Sequence, residues 1–246
     1  MACRNTRYRR HIRPIATATL IKVSAHQPNF LPWPGFWHKL LSVDVFVLCA
    51  GMQYVHRSYG NRVRMRDDGG WATIPVSGGM KPYTEIEIAD VGSVHQIGRR
   101  IQHWSQRREF RYGDRLMPIV SYLKQCNQSE LCNLNVELIR LVLEILDHHE
   151  TELIVDTENR LDRSAKSSIA DLLSAHGEIY MSGSSAPKYL EREDLSALAE
   201  VHLQNLRPGI GDETVLHLIA EEEDPKAAIL ELGNWVEWTT ADRNSH

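Results

Sequence analysis

The chain has 246 residues, 42% hydrophobic and 24% charged, with a formal net charge of −4; this is the balance of a globular protein with a substantial core. A weakly acidic molecule has no overall electrostatic pull toward nucleic acid or anionic lipid, and no run approaches the roughly 18 apolar residues that a membrane span needs. The four cysteines, Cys3, Cys49, Cys126 and Cys132, show no CxxC and no metal-ligand spacing, which points to free thiols in a reducing cytoplasm.

Residues 1–18 hold five arginines and no acid. They lack the apolar stretch of a secretory signal and read as a basic, disordered leader. Residues 19–238 read as one α/β domain, and 239–246 as a loose tail. "TLIKVSA" (19–25) predicts a short buried strand that ends in a proline-rich loop. Pro34 then opens a predicted helix to Ser42, because a first-turn proline forfeits no hydrogen bond. "VDVFVLC" (43–49), apolar and rich in β-branched residues, is the strongest strand signal in the chain. Strand, loop, helix and strand make a βαβ beginning with a parallel pair. "WATIPV" (71–76) and the alternating "TEIEI" (84–88) predict two more strands. Helical periodicity covers 93–112, 115–126 and 134–149. A strand at 152–156, a helix at 163–176, a strand at 178–181 and a helix over 185–192 follow. Near the end 212–223 is helical, and in "DPKAAILELG" Asp224 suits an N-cap, Pro225 the first turn and Gly233 the helix stop. The expected fold is therefore α/β, a central mixed, partly parallel sheet with a substantial helical part.

"HQPNFLPWPGFWHKL" (26–40) does not look like scaffolding. Gln27 and Leu31 each precede a proline and are steered toward an extended path, so the segment is a stiff loop at a strand end. In parallel α/β sheets that is where ligands bind. His26 is the candidate catalytic base, since an imidazole titrates near neutrality. Gln27 and Asn29 would orient a substrate, and Trp33, Phe36 and Trp37 would wall it. Gly35 would permit close backbone approach, with His38 and Lys39 one turn further on. The plainer alternative makes the aromatics core and ties His26 to backbone. Arg57, Asn61 and Arg62 suggest a fork for phosphate or carboxylate, with an ordinary basic surface loop equally consistent. Ser182, Gly183 and Ser184, between a predicted strand and helix, suggest an anion site or simply an N-cap. The basic stretch 98–115, interleaved with Trp104, Phe110 and Tyr112, would contact a nucleotide- or tRNA-linked donor, although a charge run is more often a solvated face. Twelve histidines offer no set with metal-ligand spacing, so no metal and no cofactor is named. GxSxG, P-loop, GxGxxG and HExxH motifs are all missing.

The stretch from His26 to Leu48, followed by "YVHRSYGNRVRM" (54–65) and "GWATIPV" (70–76), resembles the opening of the WbqC-like family. "LCNLNVELIRLVLEILD" (131–147), "IYMSGSSAPKYL" (179–190) and "TVLHLIAEEEDPKAAILELG" (214–233) are similar to its later blocks. The resemblance spans about 21–235 and adds Gln53 and Tyr189 to the candidate substrate contacts. It implies polysaccharide or natural-product biosynthesis, with transfer of an amino-acid or acyl group to an amine or sugar, from a small-molecule or carrier-linked substrate. Two departures stand out. Ala50 and Gly51 occupy the places of the family's acidic pair, and "EVHLQNLRPGIGD" (200–212) is short for a stretch that would wall the substrate. The alternatives are a catalytically reduced binding module, or a nucleotide-handling enzyme in which Pro32, Gly35, His38 and Ser182 to Lys188 imitate a HIGH-type nucleotidyltransferase site. In the latter, Gly35 and His38 are three apart where adjacency is needed.

Overall fold

The computed structural model describes residues 20–66, 70–158, 165–188 and 200–238. The predicted leader, the tail and Tyr189 lie outside them. The chain opens as expected: β1 (Lys22–His26), α1 (Pro34–Leu41) and β2 (Val45–Cys49), with Pro34 in the first helical turn. β1 and β2 are parallel, Val23 facing Val45 and His26 facing Leu48. Two small antiparallel pairs follow, β3 (Arg62–Arg64) with β4 (Trp71–Thr73), and β5 (Val76–Ser77) with β6 (Glu87–Ile88). The helical stretch comprises α2 (Val91–Ser105), α3 (Met117–Gln125) and α4 (Leu131–Ile145). Then come β7 (Glu152–Asp156), α5 (Ala165–His176), β8 (Ile179–Ser182), β9 (Glu200–Leu206), α6 (Leu216–Glu221), α7 (Pro225–Leu230) and β10 (Gly233–Glu237).

The main sheet runs β10-β9-β8-β1-β2-β7. Every neighbouring pair is parallel except β9 with β10, so the sheet is mixed. Side chains alternate between its two faces. Val45, Val47 and Cys49 pack with Ile169, Leu172 and Leu173 of α5, while Phe46 and Leu48 pack with α1 and α4. Cover on both faces explains why all five residues of β2 are buried.

Several expectations shift. "TEIEI" is a 3-10 turn at Tyr83–Glu85 followed by a two-residue strand, because Tyr83 buries its ring and bonds the Gly60 carbonyl. The helix expected over 185–192 begins as a 3-10 turn, Ala186–Lys188, and its remainder falls outside the described residues. Asp224 does cap α7, accepting from the Ala227 amide. Gly233, however, is no helix stop: it starts β10, where a Cβ would lie 2.4 Å from the Asn205 carbonyl oxygen. Leu31 departs from the extended path with φ 43. A bulky residue rarely accepts that conformation; full burial of its side chain holds it there.

Candidate functional site

From β1 the chain builds outward through β2 to β7, then returns across α5 to β8 on the other side of β1. Connections thus leave β1 in opposite directions, and the carboxyl ends of β1 and β8 border a crevice. A cavity of about 360 Å³ opens there, the size of a small-molecule site. His26 closes β1 and Ser182 closes the neighbouring β8. Ile169 and Leu172 of α5, with Tyr180, supply apolar lining.

His26 presents one free nitrogen. Its Nδ1 lies 2.9 Å from the Gln27 carbonyl oxygen, so Nδ1 carries the proton and Nε2 keeps its lone pair. The ring packs edge-on against Trp33 and Phe36, with centroids 5.5 and 5.2 Å away. Burial, and then the Lys39 charge, lower its pKa from 6.5 to about 3, against the opposing pull of the Gln27 carbonyl. It is therefore neutral across the physiological range, where an ordinary imidazole would be titrating.

Lys39 is the electrostatic anomaly of the pocket. It is only 6% exposed. Its Nζ donates to the Ala25 carbonyl at 2.9 Å and lies 5.7 Å from the Phe46 ring centroid. Among the described residues no carboxylate pairs with it, and two of its three donors remain unused. Burial lowers its pKa to about 8, against an opposing pull from the Cys49 thiol, since a cation with no carboxylate beside it is costly in an apolar wall.

Another part of the wall is a locked amide. Gln204, from β9, donates through Nε2 to the Gly35 carbonyl at 2.8 Å and to His38 Nδ1 at 2.9 Å. Two acceptors on one atom identify it as the amide nitrogen. His38 Nδ1 must then be unprotonated, which leaves its other nitrogen to donate to the Gly233 backbone. Desolvation lowers the His38 pKa, and the ring stacks on Trp235 at 5.5 Å.

The structure gathers His26, Gln27, Trp33, Gly35, Lys39, Ser182, Gly183 and Ser184 around this cavity. At Gly35 a Cβ would meet the Leu206 and Trp33 side chains within 3 Å. The Ser182–Ser184 turn precedes only a three-residue 3-10 turn, too short for a helix dipole to contribute. Gln27 spends its amide nitrogen on the Gln53 carbonyl, 2.7 Å away, while the Gln53 side chain is exposed. Asn29 is buried away from the cavity lining, and His38 supports Gln204 from behind. The basic turn sits elsewhere. Arg62 lies over the Trp71 ring at 4.2 Å and donates to the Arg57 carbonyl, and Asn61 is buried, bonding the Ile74 carbonyl. In the 98–115 stretch Trp104 and Phe110 are buried, so neither ring is presented for stacking on a base.

Sequence reasoning missed Gln204, Leu206, Cys49 and Tyr180, all of which line the cavity. The segment that looked short supplies a wall after all, as strand β9. Only its apolar alternation, Val201 and Leu203, could have flagged the strand. Ala50 and Gly51, in place of an acidic pair, have a packing explanation. Both amides donate to the Asp156 carbonyl, and a Cβ on Gly51 would fall 1.7 Å from the Glu158 carbonyl oxygen. Among the described residues no group of three His, Cys, Asp or Glu is placed to hold a metal ion, and no helix is long and apolar enough to cross a membrane.

The sequence model of the WbqC-like protein family matches residues 27–208, a span that includes most of the cavity lining and starts one residue after His26. An uncharacterised Mycobacterium tuberculosis protein, Rv1507c, is 27% identical over 186 residues, covering 72% of this chain and 79% of its own. No solved structure shows significant similarity.

Proposed function

The chain belongs to the WbqC-like protein family, and on that premise we propose that the crevice between β1 and β8 binds an anionic small molecule and transfers a group from it. One observation carries the anion: Lys39 is buried in the wall with no described carboxylate beside it. A bound phosphate or carboxylate would neutralise that charge and use its spare donors. Ser182 and Ser184 add hydroxyls on the adjacent strand end.

The transfer step follows from His26. An attacking amine or hydroxyl forms a bond to the acyl carbon of the donor and gives its proton to Nε2. The leaving group departs with the bonding electron pair and recovers that proton. In the empty pocket His26 is too weak a base for this, and part of the reason is repulsion from Lys39. An anion seated on Lys39 removes that part, so binding the donor strengthens the base. This reading fits biosynthetic transfer of an acyl or amino-acid group to an amine or sugar.

The pKa of His26 and the lack of a carboxylate among the described residues of the cavity lining support a second reading, a binding module without catalysis. A thermal-shift screen of sulfate, sugar nucleotides and aminoacyl compounds, on wild type and His26→Ala, separates the two. Transfer predicts turnover in wild type that His26→Ala abolishes while ligand-induced stabilisation persists. Stabilisation without turnover under any donor and acceptor pair favours the binding module. No stabilisation by any anion refutes the anion site itself.

A further inference from the structure

We infer that Gln204 determines specificity: because Gly35 and His38 lock its amide nitrogen, its Oε1 obliges the anion in this pocket to carry a hydrogen-bond donor, an ammonium or a hydroxyl, as well. The inference rests on the anion-binding reading of the same crevice and adds a second requirement to it.

A free glutamine side chain offers a ligand either a donor or an acceptor by rotating its amide through half a turn. Gln204 cannot. Rotation would place Oε1 against the Gly35 carbonyl oxygen and against the lone pair of His38 Nδ1, replacing two attractive contacts of 2.8 and 2.9 Å with repulsive ones. His38 cannot relieve the clash by changing tautomer, since its other nitrogen is committed to the Gly233 backbone and its ring is stacked on Trp235. Gln204 is 6% exposed and lines the cavity; its Oε1 accepts from no described residue. An acceptor held this way rejects an apolar group or a second anion, because its desolvation would go unanswered. His26 Nε2 adds a second acceptor in the same cavity. The wall is thus polarised, a cation at Lys39 and fixed acceptors at Gln204 and His26, to suit a ligand with both kinds of group.

The test is calorimetric titration of the full chain with matched acids of three lengths. Acetate, propionate and butyrate are the plain series. Glycine, β-alanine and γ-aminobutyrate carry an ammonium, and glycolate, 3-hydroxypropionate and 4-hydroxybutyrate a hydroxyl. At least one donor-bearing acid should bind about tenfold tighter than its plain partner, the return on one buried hydrogen bond. Gln204→Met should bring that ratio to within about twofold, because the donor-bearing acids lose a hydrogen bond and the plain acids no longer leave a buried acceptor unpaired. Whichever donor series shows the preference identifies the second group. His38 is a positioning residue: His38→Asn, which keeps an acceptor toward Gln204, should retain the preference, and His38→Phe, which keeps only the stacking, should reduce it. Equal binding of plain and donor-bearing acids at every length, or a preference that survives Gln204→Met, overturns the inference. Sulfate binding in that case leaves the anion site standing; absence of sulfate binding removes both. Should Gln204→Met not fold, the wild-type ratios and the His38 pair decide.

Discussion

Lys39 and Arg62 are two cations that the sequence offers to an anionic substrate, and their surroundings are opposite. Lys39 is buried, holds one carbonyl and faces a cavity with no described carboxylate beside it, the Cys49 thiol favouring its charge. Arg62 lies on the face of Trp71 and gives a hydrogen bond to the Arg57 carbonyl, within a turn where Arg64 already pairs with Asp212. Arg115, in the basic stretch, is likewise committed, to the carbonyls of Glu222 and Glu223 just past the end of α6. Counting charges along the chain favours the arginine-rich segments. Asking which buried cation, among the described residues, has no carboxylate beside it selects Lys39.

That contrast makes its largest prediction at Lys39. Lys39→Met keeps the stem's volume and deletes the charge. Sulfate affinity should fall about 30-fold or more, the consequence of removing one partner of a buried charge pair. The ligand-free protein should become more stable, by about 1–3 kcal/mol, because an uncompensated buried cation has been replaced by an apolar group. A binding loss accompanied by a lower Tm would mean that Lys39 is a structural residue instead.

A second prediction uses pH, with sulfate as a probe whose own charge is constant. Above about pH 8 the free Lys39 loses its proton, so sulfate affinity should drop about tenfold per pH unit. Ligand-free stability should move the other way. The folded pKa of Lys39 is about 8 against 10.5 unfolded, so between those values the unfolded chain binds more protons and stability rises with pH. His26, about 3 folded against 6.5 unfolded, acts at the acid end: its contribution is complete above pH 6.5 and is lost as pH falls toward 3. Denaturant titrations across pH on wild type and Lys39→Met check both limbs: in the variant the alkaline one should vanish and the acid one shrink, because the Lys39 charge supplies part of the His26 shift.

The half of this site closest to the N-terminus was legible in the sequence. Proline placement and a β-branched run were enough to find β1, α1 and β2, and the rule for parallel sheets put His26, Gly35 and Lys39 at a pocket rim. The other half was not. Gln204 matters because it is held by Gly35 and His38, 169 and 166 residues away, and no local pattern encodes contacts at that separation. β9 and β10 form by pairing across the sheet edge, with polar residues such as His202, Gln204 and Asn205 in positions that weaken the strand signal. His38 illustrates both halves: its place on α1 was predictable, while its use as a brace for Gln204 depends on a strand that the sequence did not reveal. The arginines misdirect for the same reason, since the partners that satisfy them, Trp71 and Asp212, come from other segments.

The smallest expected effect lies at Arg62, and it tests the contrast from the other side. Arg62→Ala removes a guanidinium from an aromatic face at a partly exposed position, a contact worth about 0.5–1 kcal/mol. The lost hydrogen bond to the Arg57 carbonyl adds little, because water reaches this exposed turn and can replace it. The variant should therefore unfold at slightly lower denaturant with its sulfate affinity unchanged. Between Arg62 and the cavity stand Tyr59 and Trp33, whose rings pack at 4.8 Å, with Trp71 beyond at 5.8 Å from Tyr59. That aromatic series could transmit a packing change to the Trp33 wall, and it would then appear as a weaker response for all ligands alike. A selective loss of anion binding of about tenfold or more would instead place the Arg62 charge in the site, and the distinction between answered and unanswered cations would no longer locate function in this molecule.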